Sequence, residues 1–137
     1  MNARSRNYIL QSMRKTSIIG LKGGMAVTEH IYSIDEIITI IAPIAKKYGT
    51  PAVYLFGSYA RGTANANSDI DFLVDTDGTA LTNLFALGAL YSELEEAFDK
   101  PIDLITVGSF TQKAMMDSEI QFRETVMKER INIYAAA

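Results

Sequence analysis

Apolar positions along this chain recur first at helical and then at strand spacing, and the changes of period mark the predicted elements. Ile34, Ile37, Ile38, Ile41, Ile44, Ala45 and Tyr48 repeat every three or four residues, the period of one helix face. Ser33-Ile34-Asp35-Glu36 fits a capping box, with the serine capping and the glutamate reaching back. Gly49 is a natural stop. Pro43 lacks an N–H and crowds the preceding turn, so a kink is expected there. The apolar run Ala52–Phe56 reads as a strand that passes straight into Gly57-Ser58. Ile70–Val74 reads as a second strand, closed by the turn Asp75-Thr76-Asp77-Gly78. Leu81, Leu84, Phe85, Leu87, Leu90, Tyr91, Leu94 and Phe98 predict a helix over about 79–98. Gly88 within it costs on the order of 1 kcal/mol against alanine, which suggests close packing at that point. Pro101 opens a third strand, Ile102–Val107; a helix over about Thr111–Lys128 follows, and Ile131–Tyr134 reads as a short last strand. The resulting order predicts an α/β (α+β) fold, a small mixed β-sheet backed by helices.

Composition narrows the chemistry. The chain's 137 residues suit one compact domain. Residues 1–28 differ from the rest, being basic and polar with a glycine-rich Gly20–Gly24 stretch. They read as an N-terminal extension, weakly ordered or non-native, ahead of a domain spanning 29–137; Ala135-Ala136-Ala137 invites the same question of origin. No apolar run is long enough to cross a bilayer, and no signal-peptide pattern follows the basic N-terminus, so the expected location is cytoplasmic, without a membrane partner. There are no cysteines and the only histidine is His30. A metal would therefore be held by oxygen, which suits magnesium or manganese. The net charge is −3 with no Lys/Arg cluster, a poor match for duplex nucleic acid, whose binding rests on phosphate neutralisation. Met115, Met116 and Met127 read as core filler or interface, His30 as an exposed linker residue, and Asp75 with Asp77 as a turn rather than a calcium loop.

Three groups of residues invite chemistry. Gly57 lets the chain turn sharply after a strand and lets a bulky ligand approach, and a helix beginning at Ser58 would aim free N–H groups and a hydroxyl at one point, as phosphate sites do. By itself, Gly-Ser at a strand end is more often a helix cap. Asp69 and Asp71 are two residues apart, so in a strand they point to one face. Two close carboxylates repel unless a cation lies between them or one is protonated. The segment contains no basic residue, which makes a divalent cation the economical answer, although a lone Asp-x-Asp is commonly an exposed turn. Asp103 lies in the apolar run Ile102–Ile105. If that strand pairs with the one following Asp69, three carboxylates converge on one face, the arrangement of a two-metal site; alone, Asp103 could be a solvent-facing strand-end acid.

Taken together, Gly57-Ser58-x10-Asp69-x-Asp71 resembles the signature of the polymerase-beta-like nucleotidyltransferase superfamily. The longer match, Tyr54-Leu55-Phe56-Gly57-Ser58-Tyr59-Ala60-Arg61-Gly62 with Ser68-Asp69-Ile70-Asp71, is similar to its minimal branch, the MntA-like antitoxins. Resemblance extends from about Tyr32 to Tyr134. It implies that Asp69 and Asp71 hold two magnesium ions (manganese as a substitute) with a nucleotide triphosphate, and that Asp103 shares the second ion and helps activate the acceptor. It implies that Gly57 and Ser58 grip the β/γ-phosphates. Arg61 has two readings, a phosphate or acceptor contact and a surface salt bridge. The implied reaction moves AMP from ATP to a hydroxyl, and the implied partner is a HEPN-type toxin modified on tyrosine, in a type VII-like toxin–antitoxin pair. Two rivals stand beside it: transfer to a small molecule such as an aminoglycoside, and a non-catalytic antitoxin acting by contact. The helix over Thr111–Lys128 and the N-terminal extension are the expected partner surfaces.

Overall fold

A computed structural model describes residues 30–137 of the chain; the predicted extension over 1–28, and its part in any partner surface, lie outside the described residues. Helix α1 (Ile34–Tyr48) starts as its sequence predicts. The Ser33 hydroxyl accepts from the Glu36 N–H at 3.1 Å and the Glu36 carboxylate accepts from the Ser33 N–H at 3.0 Å. Gly49, at φ 69°, ends it by donating to the Ala45 and Lys46 carbonyls. Pro43 lies inside the helix without splitting it.

Four strands form one sheet: β1 (Ala52–Phe56), β2 (Ile70–Asp75), β3 (Ile102–Thr106) and β4 (Ile131–Ala135), in the order β3-β2-β1-β4. β1 pairs antiparallel with β2 and β4, whereas β2 and β3 run parallel, so the sheet is mixed as predicted. The parallel pair requires a crossover, which is helix α3 (Leu84–Phe98). Between β1 and β2 lies the short helix α2 (Gly57–Arg61), and α4 (Asp117–Glu129) precedes β4.

Two helices begin later than the apolar spacing predicts. The helix expected from about residue 79 starts at Leu84, because Asn83 caps it, its side chain accepting from the Ala86 N–H at 2.8 Å. The helix expected from Thr111 starts at Asp117. Residues 112–116, its expected first turns, are not helical; ahead of them lies a 3₁₀ segment, Val107–Thr111, capped by the Thr106 hydroxyl. Arg123 then donates to the Gln112 carbonyl at 2.6 Å and the Phe110 carbonyl at 3.4 Å, giving those acceptors partners outside a helix.

Strand alternation sends side chains to two unlike faces. On one, Val53, Leu55, Ile70, Phe72, Ile102 and Leu104 pack with Ile37 and Ile41 of α1 and Leu90, Leu94 and Phe98 of α3. Each large side chain fully buried there contributes roughly 1.5–3 kcal/mol. On the other, Phe56, Leu73 and Ile105 meet Val126 of α4, with Phe110 and Phe122 against them. Close packing at Gly88 is not found: a methyl group built there meets nothing within 4 Å. Met115, Met116 and Met127 are exposed rather than core filler: the first two precede α4, and α4 turns only its Val126 side fully inward. Among the described residues, no helix is long and apolar enough to cross a membrane.

Candidate active site

The site is built where β1 ends. Phe56, the last residue of β1, faces Asp71 in the antiparallel register, and the chain then turns at Gly57, φ 75°. A side chain at Gly57 would be strained by that φ and would also collide with the neighbouring strand. Its Cβ would lie 2.1 Å from Asp71 Oδ2 and 2.9 Å from Asp71 Cγ. Glycine is required here because the Asp71 carboxylate occupies the space that any other residue would fill. Helix α2 follows for five residues and ends at Gly62, φ 79°.

Asp71 lies on the sheet face opposite the main core, since its neighbours Ile70 and Phe72 belong to that core. Asp69 precedes β2 by one residue and shares the parity of Asp71. Asp103 stands beside Asp71 across the parallel β2–β3 pair. It is 7% exposed.

A cavity of about 420 Å³ opens on this face, within the range of small-molecule sites. From the β1–α2 turn it is lined by Gly57, Ser58 and Arg61, and from the start of β2 by Ser68, Asp69 and Asp71. Helix α4 supplies the far wall through Phe122, Thr125, Val126 and Glu129. The structure thus brings five of the six residues singled out in the sequence to one cavity. Asp103 is one strand further over and does not line it. Among the described residues, no three Asp, Glu or His side chains close into a single metal-ligand cluster.

Arg61 makes the salt bridge of one reading and stands at the cavity named by the other. It lines the cavity and donates to Glu129, at 3.0 and 3.2 Å to the two carboxylate oxygens. The arginine is about half exposed, 49%, so the pair contributes little to stability and is readily exchanged for another anion. Glu129 also ends α4, where the helix dipole disfavours a carboxylate, and Arg61 offsets that.

Two buried polar side chains behind the acids have no local sequence mark. Tyr91 of α3 is 2% exposed and donates to Glu95 at 3.2 Å. Burial first, then the Glu95 charge, push its phenol far up, with Asp103 and Asp69 adding to the effect; the hydroxyl stays protonated. Lys100 is likewise 2% exposed and donates to the Ala66 carbonyl at 3.1 Å. Burial pushes its ammonium below the usual lysine range, while the Asp99 and Asp69 carboxylates oppose that. The segment around the acid pair holds no basic residue, but Lys100 arrives near Asp69 from the turn ahead of β3. Elsewhere, Asp75 accepts from the Asp77 N–H at 3.0 Å in a plain turn, and His30 is exposed against Glu36.

Comparison with known proteins gives the family and the fold. The family model "Polymerase beta, Nucleotidyltransferase" matches residues 39–136. Two proteins of Methanocaldococcus jannaschii, named as candidate protein adenylyltransferases, are 41% identical over 78 residues (56% of this chain, 81% of that one) and 38% identical over 74 residues (53% and 74%). The protein adenylyltransferase MntA of Shewanella oneidensis is 44% identical over 57 residues, 42% of this chain and 40% of that protein. A toxin–antitoxin crystal structure with AMP-PNP superposes with a TM-score of 0.56 at 24% identity, covering 72% of this chain and 73% of that one. At that identity the likeness establishes the fold.

Proposed function

This chain belongs to the polymerase-beta nucleotidyltransferase family, and on that premise we propose that it transfers AMP from ATP to a tyrosine hydroxyl of a partner protein, a HEPN-type toxin, releasing pyrophosphate. The observation that carries the reading is the cavity in which Gly57, Ser58 and Arg61 face Asp69 and Asp71. Relatives similar in sequence, named as established or candidate protein adenylyltransferases, support AMP as the transferred group and a protein as the acceptor.

The donor chemistry fits a divalent cation. Asp69 and Asp71 offer only carboxylate oxygens, with no sulfur or imidazole nearby, a set suited to magnesium or manganese. These two residues would hold the ions, and Asp103 would reach the second from its place beside Asp71. Bound magnesium would neutralise the triphosphate and the charge that grows on the leaving pyrophosphate.

The chain's own groups account for the rest. Helix α2 has only five residues, so its macrodipole is small and phosphate binding falls to individual N–H groups and the Ser58 hydroxyl. The missing side chain at Gly57 lets the Asp71 carboxylate lie directly against the β1–α2 turn, which would bring a metal held there close to the phosphates. Arg61 would trade Glu129 for a phosphate oxygen, exchanging one charge-assisted pair for another. Asp103 would help the acceptor hydroxyl lose its proton as it attacks the α-phosphorus.

The test is to incubate the purified protein with its co-encoded neighbour, magnesium and ATP, and to read the neighbour by intact mass. The expected result is a gain of one or more AMP masses on a tyrosine, absent with Asp69→Asn/Asp71→Asn. A neighbour that stays unmodified yet remains bound and neutralised by that double variant would replace this reading with an antitoxin acting by contact.

A further inference from the structure

Residues 63–69 join the Gly57-Ser58 turn to the first acid of the pair, and they belong to neither helix nor strand. Their internal bonds are local. The Asn67 N–H donates to Asn65 Oδ1 at 2.8 Å, the Asn65 N–H to Ser68 Oγ at 2.9 Å, and the Ser68 N–H to the Asn65 carbonyl at 3.0 Å. Such bonds shape the turn, while its start is tied to the domain by the Thr63 N–H, which donates to the Ser58 carbonyl at 2.9 Å, and by Ala64, which packs against the main core. Lys100 attaches the stretch nearer Asp69, donating from the interior to the Ala66 carbonyl at 3.1 Å. The next residue continues it: the Pro101 carbonyl accepts from the Ile70 N–H at 3.1 Å. Lys100-Pro101 therefore holds the chain on both sides of Asp69, at Ala66 and at Ile70.

This placement is costly. Lys100 ranks with Phe72, Phe98 and Ile37 among the large side chains that are fully buried, and an ammonium taken from water loses hydration that few contacts replace. An unbranched apolar side chain of similar length would fill the same space without that penalty. The position of the charge is thus poorly explained by stability and well explained by what it holds.

We propose that Lys100 is a positioning residue: it anchors the loop over 63–69 and so sets the Asp69 carboxylate in the cavity, without touching the nucleotide itself. The inference rests on the nucleotidyltransferase reading of Asp69. The anchor can nevertheless be tested on the protein alone.

The experiment compares Lys100→Met and Lys100→Arg with the native chain by thermal unfolding, by amide hydrogen exchange and by calorimetric titration of ATP with magnesium. The methionine variant is expected to melt no lower than the native protein. Its amides at residues 63–69 should exchange about tenfold faster and ATP should bind about tenfold more weakly, the scale of one hydrogen bond to a charged group. Arginine, which keeps the charge and the donors, should recover most of both losses. Unchanged exchange and ATP affinity in Lys100→Met would overturn the proposal. So would a methionine variant that melts lower and exchanges faster throughout the domain, because the lysine would then be an ordinary structural residue. Exchange is read without nucleotide, so failure of the native protein to bind ATP would count against the transferase reading and not against the anchor.

Discussion

Asp71 and Phe72 are neighbours in one strand, yet they serve opposite faces of the sheet. Phe72 is fully buried between α1 and α3, whereas Asp71 lines a cavity bordered by the Gly57 turn and α4. The first face is closed and apolar along the sheet. The second has a smaller buried cluster, Phe56, Leu73, Ile105 and Val126, with partly buried residues such as Phe110 and Phe122 around it, and gives way to carboxylates where β2 and β3 begin. The comparison teaches how a domain this small separates stability from chemistry. Strand alternation sends Asp71 and Phe72 to different tasks, although Leu73, on the face of Asp71, still packs into the smaller apolar cluster.

Substitutions at these positions should divide accordingly. Phe72→Ala should destabilise the domain by roughly 3–5 kcal/mol through lost burial and the cavity left behind, which urea unfolding will read. Asp71→Asn, one residue away, should leave urea stability equal or slightly higher, because it removes a charge from a like-charged pair. Transfer should fall by about a thousandfold, as expected where several kcal/mol of charge stabilisation is lost. If Asp71→Asn unfolded the domain, or Phe72→Ala left it intact, the division between faces would fail.

Gly57→Ala probes the boundary between the two functions. The clash with Asp71 and the left-handed backbone should cost more than about 1 kcal/mol of stability. Displacing the carboxylate by even about 1 Å should cost on the order of a hundredfold in rate. Arg61→Ala should have a smaller effect, weakening ATP binding by roughly tenfold for one charged hydrogen-bonding partner, with stability changed by no more than about 1 kcal/mol. Gly88→Ala should be smallest and of opposite sign. The space is open, and alanine should stabilise helix α3 by about 0.4–1 kcal/mol without altering transfer.

The parts of the molecule that could be read in advance depend on nearby residues. The cap of α1 lies within Ser33–Glu36, and the shared face of Asp69 and Asp71 follows from a spacing of two. The pairing of Asp71 with Asp103 was conditional on a strand order that only the sheet settles. The true starts of α3 and α4 escaped because apolar spacing does not register a side-chain cap such as Asn83, or carbonyls diverted to Arg123. More of the site was hidden than of the fold. Glu129 and Phe122 form a cavity wall from a helix whose sequence mostly shows an exposed polar surface. Lys100, next to a proline at a turn, looks like a solvated charge until the fold closes over it. The exposed Met115, Met116 and Met127 show the converse: two of them precede α4 and one lies on its outer side, so an apolar residue does not by itself reveal where the core is.

The most direct test of the central claim follows the label from ATP. The protein and its co-encoded neighbour should be given magnesium with ATP labelled at either the α- or the γ-phosphate. The account predicts that the α-label enters the neighbour and that the γ-label leaves as pyrophosphate, with both signals lost in Asp69→Asn/Asp71→Asn. Entry of the γ-label would contradict it by showing phosphoryl transfer, and undiminished α-label in the double variant would contradict the assignment of the acid pair.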